Sequence, residues 1–438
     1  MPIYYLRLPE EETRVEKLTW LNEMRFRMLE FKELQPDDKG NWLSVGGHDW
    51  NQLCPIISKD TKSGENELAI FKLFSLGINT ARDEWVYDNN AKNLTAKIKL
   101  FLSIYNSNTI QLKRIGITDL DKQIDYSIKW SDELKAALLD KKKFKFQKEN
   151  IRVVLFRPFT KKFWYSGRFY NKRLHRFLDI FPKSDEDNVV IAFTTVSVNK
   201  PFHCLASKHI VDLHYTGDSQ CLPRWRYEGE TRVDNITDWA LAQFQAAYAE
   251  ELAPHDLRKD DIFHYVYAVL HHPAYRDTYA QNLKRDFPRL PFYNDFRQWA
   301  NWGAQLLACH LHYDTATPYG LRRHDVDWKL DRGPLPRLKA LKAEGVIELD
   351  ERTSLHGVPP MAWAYQLGNR SALEWVLDQY KERTPKDPTI AAQFDTYRLA
   401  DHRDEVIALL DQVCAVSVRT QTLLAEMPEL PERVVRPS

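Results

Sequence analysis

The sequence predicts a mixed α/β protein in which a lobe of short strands and helices precedes a mainly helical lobe. Three observations carry this. Over residues 69–232, β-like runs alternate with helical pieces. Near residue 233 the composition changes, and Ala-rich segments with helical spacing take over. The 438 residues are too many for one core and suit two or three domains. The expected parts are 1–68, a lead-in and linker; 69–232, the α/β lobe; and 233–438, the mainly helical lobe.

Taken in order, Ile3 to Leu8 reads as a short strand. A strand so near residue 1 suits the last strand of something upstream. Residues 11–35 are charged, with Val15, Leu18, Leu21, Met24 and Met28 at helical spacing. Polar, Gly-containing stretches at 36–48 and 58–66 read as loops. Trp85-Val86-Tyr87 and Val189 to Phe193 are strand candidates; Leu94–Tyr105 and Asp132–Leu139 are helix candidates. Beyond 233, helices are expected at 237–252, 259–271, 273–285 and 294–313, with Pro-rich breaks at 288–291 and 334–336. A β segment at 345–356 precedes helices at 369–382 and 400–412. The stripe Phe263, Val266, Tyr267, Leu270 is a core face. The tail from Met427, with Pro428, Pro431 and Pro437, is expected to fray.

Charge narrows the function. Lys plus Arg number 62 and Asp plus Glu 61, so a uniformly basic coat is excluded and any polyanion surface must be local. One segment departs from this balance. Residues 141–177, KKKFKFQKENIRVVLFRPFTKKFWYSGRFYNKRLHRF, hold thirteen Lys or Arg against Glu149 alone, interleaved with ten aromatics. Self-repulsion makes such a run costly unless a polyanion relieves it. Arg and Lys forks suit phosphates and guanine edges, and the Asn171 amide suits adenine. The alternative is a solvated basic face whose aromatics fill the core.

Other chemistries find little support. The phosphate loop GxxxxGK[ST] and GxGxxG are absent, Gly is scarce at 15, and Asp185-Glu186 therefore has no nucleotide cradle beside it. The Asn-Pro-Pro-Tyr or Asp-Pro-Pro-Tyr tetrad of amino-methyltransferases is missing. Asp314, Asp327 and Lys329 match a metal-dependent nuclease only loosely, and that enzyme remains an alternative reading. His203, Cys204, His209, His214 and Cys221, and again Cys309, His310 and His312, lack the paired spacing of zinc ligands, so no metal is expected. Five scattered cysteines, no basic-apolar leader and no apolar run near ~20 residues point to a cytoplasmic chain without disulfides or a membrane span.

Several blocks, in order, carry a family resemblance. They are Ser75-Leu76-Gly77-Ile78-Asn79-Thr80-Ala81-Arg82-Asp83-Glu84-Trp85-Val86-Tyr87; Arg157-Pro158-Phe159 with Trp164-Tyr165; Asn235 to Trp239; Asp261 to His271 with Pro273 to Arg276; Phe287 to Pro291; and Leu367 to Trp375. Over roughly 69–425 the chain resembles the C-terminal specificity domain of type ISP restriction–modification enzymes, and more loosely single-chain type II restriction–methylation enzymes. Ala81 stands where a second Gly is common in that family's Gly-aliphatic-x-Thr-Gly-x-Asp turn. Residues 1–35 resemble the tail of the adenine methyltransferase domain.

The resemblance implies a target-recognition (specificity) role on double-stranded DNA without catalysis by this chain alone. Methyltransferase, translocase and nuclease modules would lie upstream in cis or act in trans, and S-adenosylmethionine, ATP and Mg²⁺ would belong to them. On that footing Lys141, Lys142, Lys143, Lys161 and Lys162 are expected on phosphates. Arg168, Asn171, Lys172, Arg173 and Arg176 are expected near bases, with Arg157 beside them. Arg82 belongs to the Gly77–Asp83 turn and either reaches toward the target-base pocket or forms an internal ion pair with Asp83. A non-catalytic scaffold that binds an acidic protein partner is the third reading.

Overall fold

The computed structural model describes residues 3–6, 8, 14–34, 49–58, 68–116, 118–184, 186–194 and 200–434. The chain divides into two compact units, Met1–Gln52 and Leu53–Ser438. In the first, the strand Ile3–Tyr5 pairs antiparallel with Lys32–Leu34, and the helix Arg14–Glu23 lies between them in sequence. The helix expected over 11–35 is thus shorter. Its bonding ends with Met24 N–H donated to Trp20 O, Arg25 is extended, and one 3₁₀ turn at Phe26–Met28 leads into the strand. Strand pairing outweighs an apolar spacing whose members Val15, Leu18, Leu21 and Met28 stay exposed. The loop expected at 36–48 lies outside the described residues, as do residues 59–66 of the one expected at 58–66, and Asp185.

The second unit opens with two four-stranded sheets. In one, Ser75–Leu76, Gln220–Pro223, Val190–Phe193 and Cys204–Ser207 pair antiparallel in that order. The last three strands are buried at every residue, which their near-continuous apolar character allows. In the other, Ile151–Arg157 and Thr160–Tyr165 form a hairpin, flanked by Tyr87–Asp88 on one side and a parallel Ile210–Val211 on the other. The helix Ala91–Ile115 packs on this sheet. Asn90 caps its start, Gly116 ends it, and Leu94, Ile98, Phe101, Leu102, Tyr105 and Leu112 form its buried stripe. Trp85-Val86-Tyr87 is not one strand. Thr80 Oγ1 bonds to Asp83, two acids favour a helical first turn, and Asp83–Val86 coils before the chain straightens at Tyr87.

Helices dominate the remainder. Lys259–His271 packs tightly against Phe296–Leu311, and Gly303 marks the crossing: a Cβ there would lie 1.8 Å from the His264 carbonyl oxygen. The stripe Phe263, Val266, Tyr267, Leu270 is fully in the core. The helix expected over 273–285 breaks into Pro273–Thr278 and Ala280–Leu283 around the buried Tyr279. The helix expected over 400–412 runs on from Leu399 to Glu426, with Val413, Cys414, Val416 and Leu423 buried along it.

A second difference is an antiparallel sheet ordered Arg322–Asp325, Thr353–His356, Val346–Asp350, Pro336–Leu341. Only its central hairpin was legible. Arg322–Asp325 is polar and exposed on both faces, and Pro336–Leu341 has a register shift that removes its two-residue period. The tail is also not frayed as far as Val434. Val434 N–H donates to Phe292 O, Arg433 bonds the Tyr279 hydroxyl, and Met427 is buried.

Candidate nucleic-acid interface

The basic segment does not form one cationic strip. Its aromatics are core: Phe144 stacks on Phe169 with centroids 3.6 Å apart, Phe146 stacks on Tyr165, and Trp164 and Tyr170 are buried. Several of its charges are consumed. Arg157 pairs with the buried Asp212 at 2.6 Å and lies over the Phe156 ring, so it is internal. Burial pushes the Asp212 carboxyl up, against the pull of Arg157 and the bonds it accepts from His214 N–H and Tyr87 OH. Lys161 pairs with Asp314 and packs near the Tyr313 ring. Lys162 sits against the Phe156 ring, 4.2 Å from Nζ; desolvation, then the like charge of Arg157, push its pKa down to about 8. Lys142 pairs with Asp140 at 2.9 Å, and Arg176 pairs with Asp179.

Asn171 is a further correction. Its Oδ1 accepts from Trp164 Nε1 at 2.9 Å, and its Nδ2 donates to Tyr165 O and Gly167 O at 3.0 and 2.9 Å. The side chain is buried and every obvious bonding direction is used, so it braces the loop and reads no base.

Five candidates stay exposed with no acidic partner among the described residues: Lys141, Lys143, Arg168, Lys172 and Arg173. Lys141, at φ 57°, and Lys143 follow the helix Asp132–Leu139. Its eight residues carry them about 12 Å from its first turn. Arg173 exchanges both backbone hydrogen bonds with Asn79 at 2.9 Å, fixing the loop against the Gly77–Asp83 turn. That turn is close-packed: a Cβ at Gly77 would lie 2.5 Å from Asp212 O, and Ala81 adopts a left-handed φ of 57°.

Beside this turn lies an open cleft of about 760 Å³. Arg82 lines it, 4% exposed, and of its two readings the ion pair does not form, since Asp83 instead accepts from Thr80 Oγ1. Desolvation pushes its pKa down to about 10, partly offset by Glu133, so it stays charged at neutral pH. Glu133 is held below the usual carboxylate range by its own backbone N–H, then Ser131, with Lys172 and Arg82 adding to the effect. Arg82 and Lys172 share the field of Glu133, and Arg173 is tied beside them to Asn79, while Lys143 precedes Phe144, whose ring stacks on Phe169 of the same loop. Sequence reasoning missed Lys129, Trp130 and Lys386 on the cleft walls. Lys129-Trp130 directly precedes the Ser131 cap, a basic-aromatic pair that could have drawn notice. Lys386 has no local signal, since tertiary folding alone delivers it.

The remaining constellations do not assemble a centre. Asp314 is committed to Lys161, while Asp327 and Lys329 lie on an exposed loop. Among the described residues, no group of three or more His, Cys, Asp or Glu is placed to hold a metal ion. Cys204 instead contacts His271 at 3.4 Å, and His310 bonds Tyr267, Thr420 and Tyr365, all buried.

A profile of the Type ISP C-terminal specificity domain matches residues 69–409. The chain belongs to that family. Solved structures agree. A DrdV–DNA complex determined by cryo-electron microscopy is 42% identical over 98% of this chain and 43% of its own, with a TM-score of 0.85. A nuclease-deletion mutant of the Type ISP restriction–modification enzyme LlaGI, in complex with a DNA substrate mimic, is 27% identical over 99% of this chain and 39% of its own, at TM-score 0.78. LlaBIII, an ATP-dependent Type ISP restriction–modification enzyme bound to DNA, shares the fold at 23% identity and TM-score 0.76, over 91% of this chain and 26% of its own. The chain thus spans less than half the length of each. No curated protein matches it.

Proposed function

We propose that this chain is the DNA target-recognition part of a Type ISP restriction–modification system. The observation that carries the reading is the braced loop at 168–173. It holds Arg168, Lys172 and Arg173 exposed and outside any ion pair among the described residues, whereas Lys142, Arg157, Lys161 and Arg176 of the same segment are paired. Side chains on a braced loop lose little entropy on binding, which favours base reading. The DNA of the DrdV complex and the DNA substrate mimic of the LlaGI complex support DNA as the partner.

Catalysis belongs, on this reading, to methyltransferase, translocase and nuclease modules joined in cis or acting in trans. They would take the S-adenosylmethionine, ATP and Mg²⁺. The first unit supports such a partner, because Tyr4, Leu18, Leu21, Phe26 and Met28 are exposed apolar groups. The setting is the cytoplasm. The helix Leu399–Glu426 is long and apolar enough to cross a membrane by composition, yet its Val406, Leu410 and Val413 are fully buried in the fold.

Selection from a randomised duplex library tests the reading. Wild type is expected to enrich a defined sequence, and Arg173→Ala to relax one position by ~1–3 kcal/mol. A small, equal loss on all sequences would demote Arg173 to a phosphate contact. No salt-sensitive duplex binding would leave the acidic-partner scaffold in its place.

A further inference from the structure

The cleft beside the Gly77–Asp83 turn contains charge that the fold leaves uncompensated. Arg82 is 4% exposed, and its Nε and Nη1 have no hydrogen-bond partner among the described residues. Its nearest identified company is the Phe101 ring, 5.6 Å from Cζ, and the field of Glu133. Buried guanidinium groups are otherwise paired, because an unpaired one forfeits its hydration without return.

The acids lining the same cleft are already engaged. Asp83 accepts from Thr80 Oγ1, and Glu84 accepts the backbone N–H groups of Lys386 and Asp387. Asp387 caps the helix Pro388–Gln393 and accepts Trp85 Nε1 at 2.6 Å. Asp212 holds Arg157 and Tyr87. Lys135 is matched by Asp121. Left over are Arg82 and two exposed wall lysines, Lys129 and Lys386, whose ammonium groups have no partner among the described residues.

We propose that this cleft seats a phosphodiester group of the bound nucleic acid, with the Arg82 guanidinium as its donor and Lys129 and Lys386 flanking it. The inference rests on the target-recognition reading and deepens it. At about 760 Å³ the cleft has room for a phosphate together with its sugar, and the partly exposed Trp130 on its wall suits the attached nucleoside. The Asn79–Arg173 backbone pairing makes its rim continuous with the exposed Lys172 and Arg173, so one polyanion reaches both.

The test titrates the full chain and its Arg82→Gln variant with a labelled mixed-sequence duplex between 50 and 200 mM NaCl. Melting temperatures are recorded with and without inorganic phosphate. R82Q is expected to lose affinity on the order of 10-fold, equally on all sequences, with a log–log salt slope reduced by about one. Its melting temperature without ligand should match or exceed wild type, since a buried unpaired charge is gone. Should R82Q fail to fold, the surface variant K129A/K386A serves, with a slope reduction of about two expected.

Wild-type affinity and slope in either folded variant would overturn the proposal while leaving target recognition intact. Absence of duplex binding by wild type would instead overturn the target-recognition reading, and this one with it. If inorganic phosphate then stabilised wild type but not R82Q, the site would be one for a free phosphate compound and the nucleic-acid source would be refuted.

Discussion

Replacing Arg168, Lys172 and Arg173 together by alanine removes the three exposed, unpaired charges of the 168–173 loop. Each is exposed and in no ion pair among the described residues, Lys172 lying only in the field of Glu133, so each is available to displace one condensed counterion. At roughly 0.9 per phosphate contact, the triple variant should lose about 2.7 from the slope of log K against log salt. Over a fourfold rise from 50 to 200 mM, that slope corresponds to a roughly 40-fold fall in affinity present in wild type and missing from the variant. Fluorescence anisotropy of a labelled duplex at three salt concentrations reads this directly. Arg176→Ala is the internal control. Its guanidinium must leave Asp179 to reach a phosphate, so its slope change should be below that of any free cation. Folding should be unaffected, because surface changes of this kind stay within about 0.5 kcal/mol each and the Arg173–Asn79 bonds are backbone. A triple variant that keeps the wild-type slope to within about half a unit would refute the assignment of these residues to the interface.

Gly303→Ala forces a methyl group into the His264 carbonyl and should destabilise the chain by about 3 kcal/mol or more in urea unfolding; a wild-type midpoint would disprove that crossing. Asn171→Ala removes three side-chain hydrogen bonds and strands the Trp164 indole N–H, a cost of about 2–4 kcal/mol, with no change in the salt slope if Asn171 is purely a brace. Acid should weaken the fold through its buried histidines. Burial lowers His203 to about 4 and His310 to about 3, below the unfolded value near 6.5. Their contribution is therefore complete above pH 6.5 and is lost as pH falls, by roughly 2 kcal/mol each at pH 5. A melting temperature that is flat from pH 7 to 5 would contradict this, and His310→Gln should flatten it in part.

What could be read in the sequence was what local chemistry decides. The helix Asp132–Leu139, capped by Ser131, has its expected bounds, while the helices capped by Thr237 and by the Ser371/Glu374 box stop at Ala247 and Gln379, short of the expected 252 and 382. The Val190–Phe193 strand is a continuous apolar run and was equally plain. The site was legible only in outline. A concentration of lysine and arginine in residues 141–177 is visible, but the pairing of Arg157 and Lys161 depends on Asp212 and Asp314, up to 153 residues distant, which no local pattern discloses. The same holds for the cleft. Arg82 belongs to a recognisable motif, Lys386 carries no local signal, and their proximity to Lys129 is a product of the tertiary fold. Asn171 misled for a related reason: an amide that suits adenine also suits three backbone and indole groups within seven residues, and the nearer partners win.

The brace built by Asn171 has a consequence for how such a chain diversifies. Because the loop's shape is held by Asn171, Trp164 and the carbonyls of Tyr165 and Gly167, the outward positions 168, 172 and 173 carry almost none of the structural burden. They behave as interchangeable bits in a fixed holder. Substitutions at these three positions can therefore change the loop's outward chemistry while the hydrogen bonds that hold its backbone stay in place.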